Sequence, residues 1–559
     1  MTDKNWWRQA AIYQIYPRSF KDSNGDGLGD IKGITSKAEY LQSLSLDAVW
    51  LSPFYPSALA DGGYDVDDYR NVDPSLGTLK DFDTMVKTLH KVGIRVFVDI
   101  VPNHSSNRHV WFQEALAAAK GSKARDRYIF RDGKGKNGER PPSDWISHFA
   151  PSAWTRTKNP DGTAGQWYLH LFAPEQPDFN WDNREVQLDF LETLRFWSDR
   201  GVDGFRIDVA HALKKDMTRL NRSIKSLNSF NIVQDGTDAL FDRNGVHEIY
   251  REWRQVFNEY DPPRVAVAEA YVRAPRRMLY AKPDELGQAF NFDLLIADYD
   301  AKLFKKIITN NVKLAKSEGS SSTWVLDNHD QVRHATKYGL PKGTDLKEWL
   351  LSDGSSAKLD RKLGLQRARA TSMLIMALPG CTYIYQGEEL GLFEVEDLPH
   401  NALQDPHWTR NVEIKSVKTP IKGLAYIHTE KGRDGCRVPI PWEKNGQSFG
   451  FSDGVSHLPQ PNWFAGFAVS AQSGVKNSTL ELYRKALALR KKYQSTEDLT
   501  WVKTVDPEVL HFARDNGWHC IMNFSGKLHK LPAGRVLITS GPLKDGKLPK
   551  DTCVWIKVD

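Results

Sequence analysis

Three carboxylates most constrain what this chain can fold into. Each stands just after a run of apolar, β-favouring residues: Asp208 in GFRIDVA, Glu269 in RVAVAEAYV and Asp330 in WVLDNHDQ. A charged group at the mouth of a buried strand is costly to desolvate unless it is paired or put to use. Packing alone poorly explains three of them on separate strands. They imply parallel strands whose ends converge on one site.

The rest of the chain supports that architecture. Short apolar runs alternate with longer amphipathic stretches, which favours a parallel sheet with helical crossovers. The candidate strands are Ile12–Tyr16, Ala48–Ser52, Arg95–Val101, Gly204–Val209, Arg264–Ala270, Asn291–Leu294, Thr323–Leu326 and Thr382–Tyr385. Eight such runs, apolar on both faces, predict an α/β fold closed into a (β/α)8 TIM barrel. Two polar stretches interrupt the alternation, one over about 103–172 and one over about 387–462. The first is too long for a plain loop and reads as an inserted domain B after strand 3. A helix with 3.6-residue period follows the second, LELYRKALALRKKYQ (Leu480–Gln494). Alternating patterns beyond it, such as EVLHFAR and VLITS, read as a C-terminal antiparallel β-sandwich domain. The expected division is therefore 1–102 with 173–494 as the barrel, 103–172 as domain B and 495–559 as the C-terminal domain.

Composition excludes several classes. With 559 residues, 40% hydrophobic and 26% charged, the chain has the makeup of a globular protein. A net charge of +6 without a concentrated basic tract argues against nucleic acid as a partner. The Lys-rich stretches near Lys120–Lys136 and Lys544–Lys550 read as solvated loops. The N-terminus MTDKNWWRQAAIYQIYP lacks the features of a signal peptide, and no apolar run approaches the ~18 residues of a membrane span. Four scattered cysteines without CxxC spacing suggest neither a zinc site nor a disulfide framework. A cytoplasmic monomer is expected. The 18 Trp mostly belong to the core, although aromatic faces also stack well on sugar rings.

Arg206 and Asp208 lie two residues apart and hence on one face of their strand. The arginine is expected to lower the Asp208 pKa and keep a nucleophile ionised. Glu269, among Val and Ala, is expected to sit in an apolar setting that raises its pKa, as a proton donor needs. His329 beside Asp330, and His104 closing DIVPNH (Asp99–His104), put donors and acceptors at two further strand ends. In DSNGDGLGD, Asp22, Asn24, Asp26 and Asp30 occupy positions 1, 3, 5 and 9 of a calcium-loop pattern, with the Leu28 carbonyl where a backbone ligand falls. The bidentate Glu of an EF-hand is missing, so this reads as a structural calcium or magnesium site of another kind.

Taken together, AIYQIYPRSFKDSNGDGLGDIKGI, DIVPNHSS, QPDFNW, DGFRIDVAH, AEAYV, LDNHDQVR and YQGEELG resemble glycoside hydrolase family 13, the α-amylase family. They are closest to its oligo-1,6-glucosidase/α-glucosidase branch, along almost the whole chain. The resemblance implies that Asp208 is the nucleophile, Glu269 the general acid/base and Asp330 the transition-state stabiliser. Arg206, His104 and His329 match residues that bind the terminal glucose, Tyr64 matches a stacking aromatic, and Phe172 lines the same pocket. Asp61 and Arg437 match a pair that closes the pocket floor, which implies exo action from the non-reducing end. The 22–30 loop matches a bound metal, usually calcium. DGGYD in place of DNGYD and DQVR in place of DQPR are departures that keep the chemical groups.

In that branch valine after the nucleophile accompanies α-1,6 activity, and here the residue is Val209. Short α-glucosides such as isomaltose and panose are the implied substrates, with α-1,4 cleavage and transglycosylation as further outcomes. Two alternatives remain at this point. One is a sucrose isomerase or glucosyltransferase using the same intermediate. The other is a non-catalytic transporter-subunit relative, which would need a membrane anchor.

Overall fold

The computed structural model describes residues 3–149, 152–220, 235–410, 412–415 and 425–558. In chain order its strands begin with β1 (Ala11–Ile15), β2 (Ala48–Leu51) and β3 (Arg95–Ile100). An excursion follows, with β4 (Phe130–Arg131), β5 (Trp154–Lys158) and β6 (Ala164–Leu169). The chain then resumes with β7 (Gly204–Ile207), β8 (Val265–Ala268), β9 (Gly287–Ala289), β10 (Thr323–Val325) and β11 (Cys381–Tyr385). The eight strands outside the excursion form one parallel sheet in the order β10-β11-β1-β2-β3-β7-β8-β9.

This is the (β/α)8 barrel. Its seam between β9 and β10 is bridged through one side chain: Thr323 Oγ1 donates to Ala289 O at 2.6 Å and accepts from Asn291 N–H at 3.1 Å. Ile12, Trp50, Phe97, Val265, Val267, Val325 and Tyr383 belong to one buried cluster that fills the interior. Gly204 is needed there, because a Cβ at that position would lie 2.5 Å from the Phe97 ring.

The crossover helices form for local reasons and then bury one stripe. Leu79–Lys91 starts with a reciprocal capping box between Thr78 and Asp81 and buries Phe82, Met85, Val86 and Leu89, spaced as one helix face requires. The sixth strand corrects the sequence reading. Asn291–Leu294 is no strand: Asn291 accepts from Asp293 N–H and caps the helix Phe292–Ile296, while the strand is the short Gly287–Ala289 before it. A Gly-Gln-Ala strand carries no β-branched signal, and tertiary pairing with β8 makes it a strand.

After β3 the excursion carries a three-stranded antiparallel sheet, β4-β6-β5. After β11 an irregular stretch contains the hairpin β12 (Val412–Lys415) and β13 (Ala425–His428) and the short helix Asp434–Arg437. The helix Thr479–Tyr493 leads to a five-stranded antiparallel sheet of β14 (Thr500–Trp501), β15 (Val509–Ala513), β16 (Trp518–Asn523), β17 (Arg535–Thr539) and β18 (Thr552–Lys557). Trp555 of β18 anchors that sheet to the barrel, its indole N–H donating to Met373 O at 3.1 Å. No helix among the described residues is long and apolar enough to cross a membrane.

Candidate active site

A cavity of about 660 Å³ opens at the carboxyl ends of the barrel strands. Asp61, Tyr64, His104, Phe172, Asp208, Val209, Glu269 and Asp330 all line it. Residues separated by up to 269 positions are thus brought to one place, at the end of the barrel where loops converge. Arg206, His329 and Arg437 lie behind this lining, almost wholly buried, and hold it in position.

Arg206 organises one side. Its Nη1 donates to Asp208 Oδ1 at 2.6 Å and to Asp99 Oδ1 at 2.9 Å, and its Nη2 pairs with Glu269 Oε2 at 2.8 Å. Burial, counteracted by Arg206 and reinforced by the charges of Glu269 and Asp99, pushes the Asp208 carboxyl well above the usual carboxylate range. This corrects the expectation that Arg206 would hold Asp208 down. One guanidinium shared among three buried carboxyls does not offset the desolvation of Asp208. The setting of Glu269 is corrected as well: its carboxyl meets Arg206 and the Val209 N–H, 3.0 Å from Oε2, rather than valine and alanine side chains. Val209 adopts φ +45°, an uncommon conformation for a β-branched residue that marks strain next to Asp208.

The opposite side has a different balance. Asp330 Oδ1 accepts from Arg433 Nη1 and Arg437 Nη2, each at 2.9 Å. Burial works against ionisation there, but His329 and the two guanidiniums hold the Asp330 carboxyl well below the usual range. Asp61 pairs with Arg433 at 2.7 Å. The expected partner, Arg437, instead binds Asp330 and the His329 carbonyl. Arg433 is therefore the arginine that the sequence reading missed. It stands four residues before Arg437 in RDGCR, and spacing alone does not tell which of the two reaches across to Asp61.

Between these clusters sit aromatic and imidazole rings. Tyr64 stacks on His329 with centroids 5.4 Å apart and planes 5° from parallel, and its hydroxyl lies 2.6 Å from His329 Nε2. Phe172 packs on His104 at 5.1 Å and on His148 at 4.7 Å. Burial pushes His104 and His329 down to about 3, so both are neutral near pH 7. Gln176 links His104 to Asp61 through contacts of 3.0 and 3.3 Å. Asp99 is a second residue that went unassigned, although a charge inside RVFVDI is the same signal that marked Asp208.

The 22–30 loop lies apart from the cavity. Asp22 Oδ1 accepts from the N–H groups of Asn24 and Gly25, and Oδ2 from Gly27 N–H and the Ser452 hydroxyl. Asp30 caps the helix Ile31–Ser36 through Gly33 N–H. Asn24 and Asp26 are exposed, with Asn24 Oδ1 and Asp26 Oδ1 accepting from Asp26 N–H and Leu28 N–H.

A family model described as "Alpha amylase, catalytic domain" matches residues 14–498. The chain belongs to the α-amylase family. Within that family it is 34% identical to the oligo-1,6-glucosidase of Parageobacillus thermoglucosidasius, over 94% of this chain and 91% of the relative. It is 32% identical to an α-glucosidase of Candida albicans, over 94% and 93%. Among solved structures, the trehalulose synthase MutB of Pseudomonas mesoacidophila MX-45 superposes with a TM-score of 0.83 at 29% identity, covering 99% of each chain.

Proposed function

We propose that this α-amylase-family enzyme is an exo-acting, retaining α-glucosidase that releases α-glucose from the non-reducing end of short gluco-oligosaccharides, with preference for α-1,6 links. The observation that carries the reading is a single guanidinium holding both Asp208 and Glu269. Retaining glycosidases need their two carboxyl groups ~5–5.5 Å apart, and two carboxyls bound to one guanidinium are close neighbours.

Glu269, protonated, donates to the glycosidic oxygen while the Asp208 carboxylate attacks the anomeric carbon from the opposite face. A β-glucosyl ester forms and the aglycone departs. Glu269, now a base, takes a proton from water, whose oxygen displaces Asp208 and restores the α configuration. Asp330, kept ionised by its arginines, stabilises the oxocarbenium-like charge on the sugar. The Arg433 bridge from Asp61 to Asp330 closes the floor, which supports binding of one terminal glucose and hence exo action.

Initial rates on isomaltose and maltose, with Asp208→Asn as control, test this. Faster α-glucose release from isomaltose, lost in the variant, is expected; faster release from maltose overturns the linkage preference alone. Transfer of the same ester to a sugar is the second reading, favoured by the close superposition on a trehalulose synthase. Products at high sucrose concentration separate the two.

The proposal includes a calcium or magnesium ion on the 22–30 loop, with Asp22, Asn24, Asp26, the Leu28 carbonyl and Asp30 as ligands. An all-oxygen donor set oriented by backbone N–H groups suits a hard cation. Its role is structural, since Asp22 ties the first βα loop to Ser452. Chelator is expected to lower the melting temperature of the wild type and to leave that of Asp22→Ala unchanged. Cytoplasmic action as a monomer completes the reading, supported by four free thiols and by a site that one chain supplies.

A further inference from the structure

The C-terminal sheet has two faces of different character. Leu510, Phe512, Cys520 and Met522 belong to the large core that the sheet shares with the barrel. Val509 and Ile521 lie on the other face, in a small aliphatic cluster with Leu548, Val554 and Ile556. Side chains alternate along a strand, so His511 and His519 belong to this second face. His511 is opposite Ile521 and His519 opposite Ala513, which makes the two imidazoles diagonal neighbours across β15 and β16. His511 Nε2 and His519 Nδ1 are 2.8 Å apart, with ring centroids at 5.1 Å and planes 57° from parallel. His511 is buried and His519 half-buried.

Two polar rings beside an aliphatic cluster carry a desolvation cost that valine or isoleucine would avoid. A hydrogen bond between the rings uses one nitrogen of each. Tautomers with their hydrogens on the far nitrogens turn both lone pairs toward the same point. Two imidazole nitrogens bound to a tetrahedral ion at ~2.0–2.1 Å stand roughly 3.3 Å apart, so this pair needs to open by only about 0.5 Å. The charged and titratable groups that face the pair are His529, which acts on His511, and Lys557, which acts on His519; Asp506 acts on His529 in turn. Lys557 is turned outward, its Nζ donating to Val558 O at 3.1 Å. The partial exposure of His519 gives an ion a way in and leaves room for water as further ligands. Neither histidine lines the sugar cavity.

We propose that His511 and His519 form a binding site for a divalent transition-metal ion of the zinc, nickel and copper class. Imidazole suits these ions, whereas the all-oxygen 22–30 loop suits calcium or magnesium, so the two sites do not compete for one metal. The ion ties β15 to β16 and stabilises the C-terminal sheet, because it binds the folded pair and the unfolded chain does not hold the two rings together.

The test titrates the full chain with Cu²⁺ and, separately, with Zn²⁺, in buffer holding excess Ca²⁺ so that the 22–30 loop is saturated. One equivalent of Cu²⁺ is expected to bind with an electron paramagnetic resonance spectrum split by two nitrogens, and Zn²⁺ is expected to raise the melting temperature. His511→Gln and His519→Gln are each expected to weaken Cu²⁺ affinity at least about tenfold, the lower range for losing even a group that supports a ligand. Both are expected to cancel the Zn²⁺-dependent rise while hydrolysis of p-nitrophenyl α-glucoside, the sign of a folded chain, is unchanged. A His511→Val/His519→Val double variant, which suits the aliphatic face, takes their place if hydrolysis is lost. Absence of a Zn²⁺-dependent rise in the wild type, or a rise just as large in the folded variants, overturns the inference.

Discussion

The two sides of the cavity use the same residue types to opposite effect. Around Arg206, three carboxyls (Asp99, Asp208 and Glu269) share one guanidinium. Around Asp330, three carboxyls (Asp61, Asp330 and Asp405) share two, those of Arg433 and Arg437. Burial alone would raise both Asp208 and Asp330. His329 and a second guanidinium reverse the outcome, so that Asp208 is pushed up while Asp330 is held down. With both carboxyls buried, the charges around each separate a group that exchanges protons and bonds from one that stays charged throughout.

Removing each acid tests that difference most strongly. Asp208→Asn is expected to lower kcat/KM on p-nitrophenyl α-glucoside by about 10⁴- to 10⁶-fold, because the covalent route itself is lost. Asp330→Asn is expected to lose about 10²- to 10³-fold, the range of a lost electrostatic stabiliser. Equal losses would erase the distinction between the two sides.

A subtler break lies in the cations. Arg433→Met leaves Asp330 with Arg437 and His329 and removes the ion pair of Asp61, so this side approaches the crowded state around Arg206. A loss of roughly 30-fold or more in kcat/KM is expected, in keeping with truncating one partner of a buried charge pair. An unchanged rate would show that Arg437 is enough.

The pH profile sharpens the comparison without mutation. Asp208 must be ionised to attack, and its pKa is raised, so activity is lost as pH falls through a value well above 3.8. The lowered pKa of Asp330 adds no limb in that range. An acidic limb of kcat/KM near 3.8 would contradict the crowding argument. The smallest effect belongs to Val209, whose N–H meets Glu269. Val209→Ala is expected to shift the isomaltose-to-maltose rate ratio toward maltose by about 1 kcal/mol, the low end for one side chain in a pocket, measured as the change in that ratio.

Much of this was legible in the chain itself. Carboxylates after apolar runs mark strand ends, and the runs carry β-branched and aromatic residues that fit a pleated, buried surface. Seven of the eight barrel strands overlap the positions read from those runs. The sixth departs because Gly287–Ala289 carries no such signal, while Asn291 caps a helix instead of opening a strand. Asp99 could have been found by the argument applied to Asp208. Arg433 could not have been separated from Arg437, since the two occupy adjacent turns of one motif.

What the amino-acid sequence determined alone is the identity and order of the chemical groups, because side-chain types and hydrophobic periodicity are local properties. Apart from Arg206 with Asp208, which groups share a guanidinium was decided only by the tertiary structure. Arg433 meets Asp61 across 372 positions and Asp330 meets Arg437 across 107. Electrostatic energies depend on distance and burial in space, and no spacing along the chain encodes either.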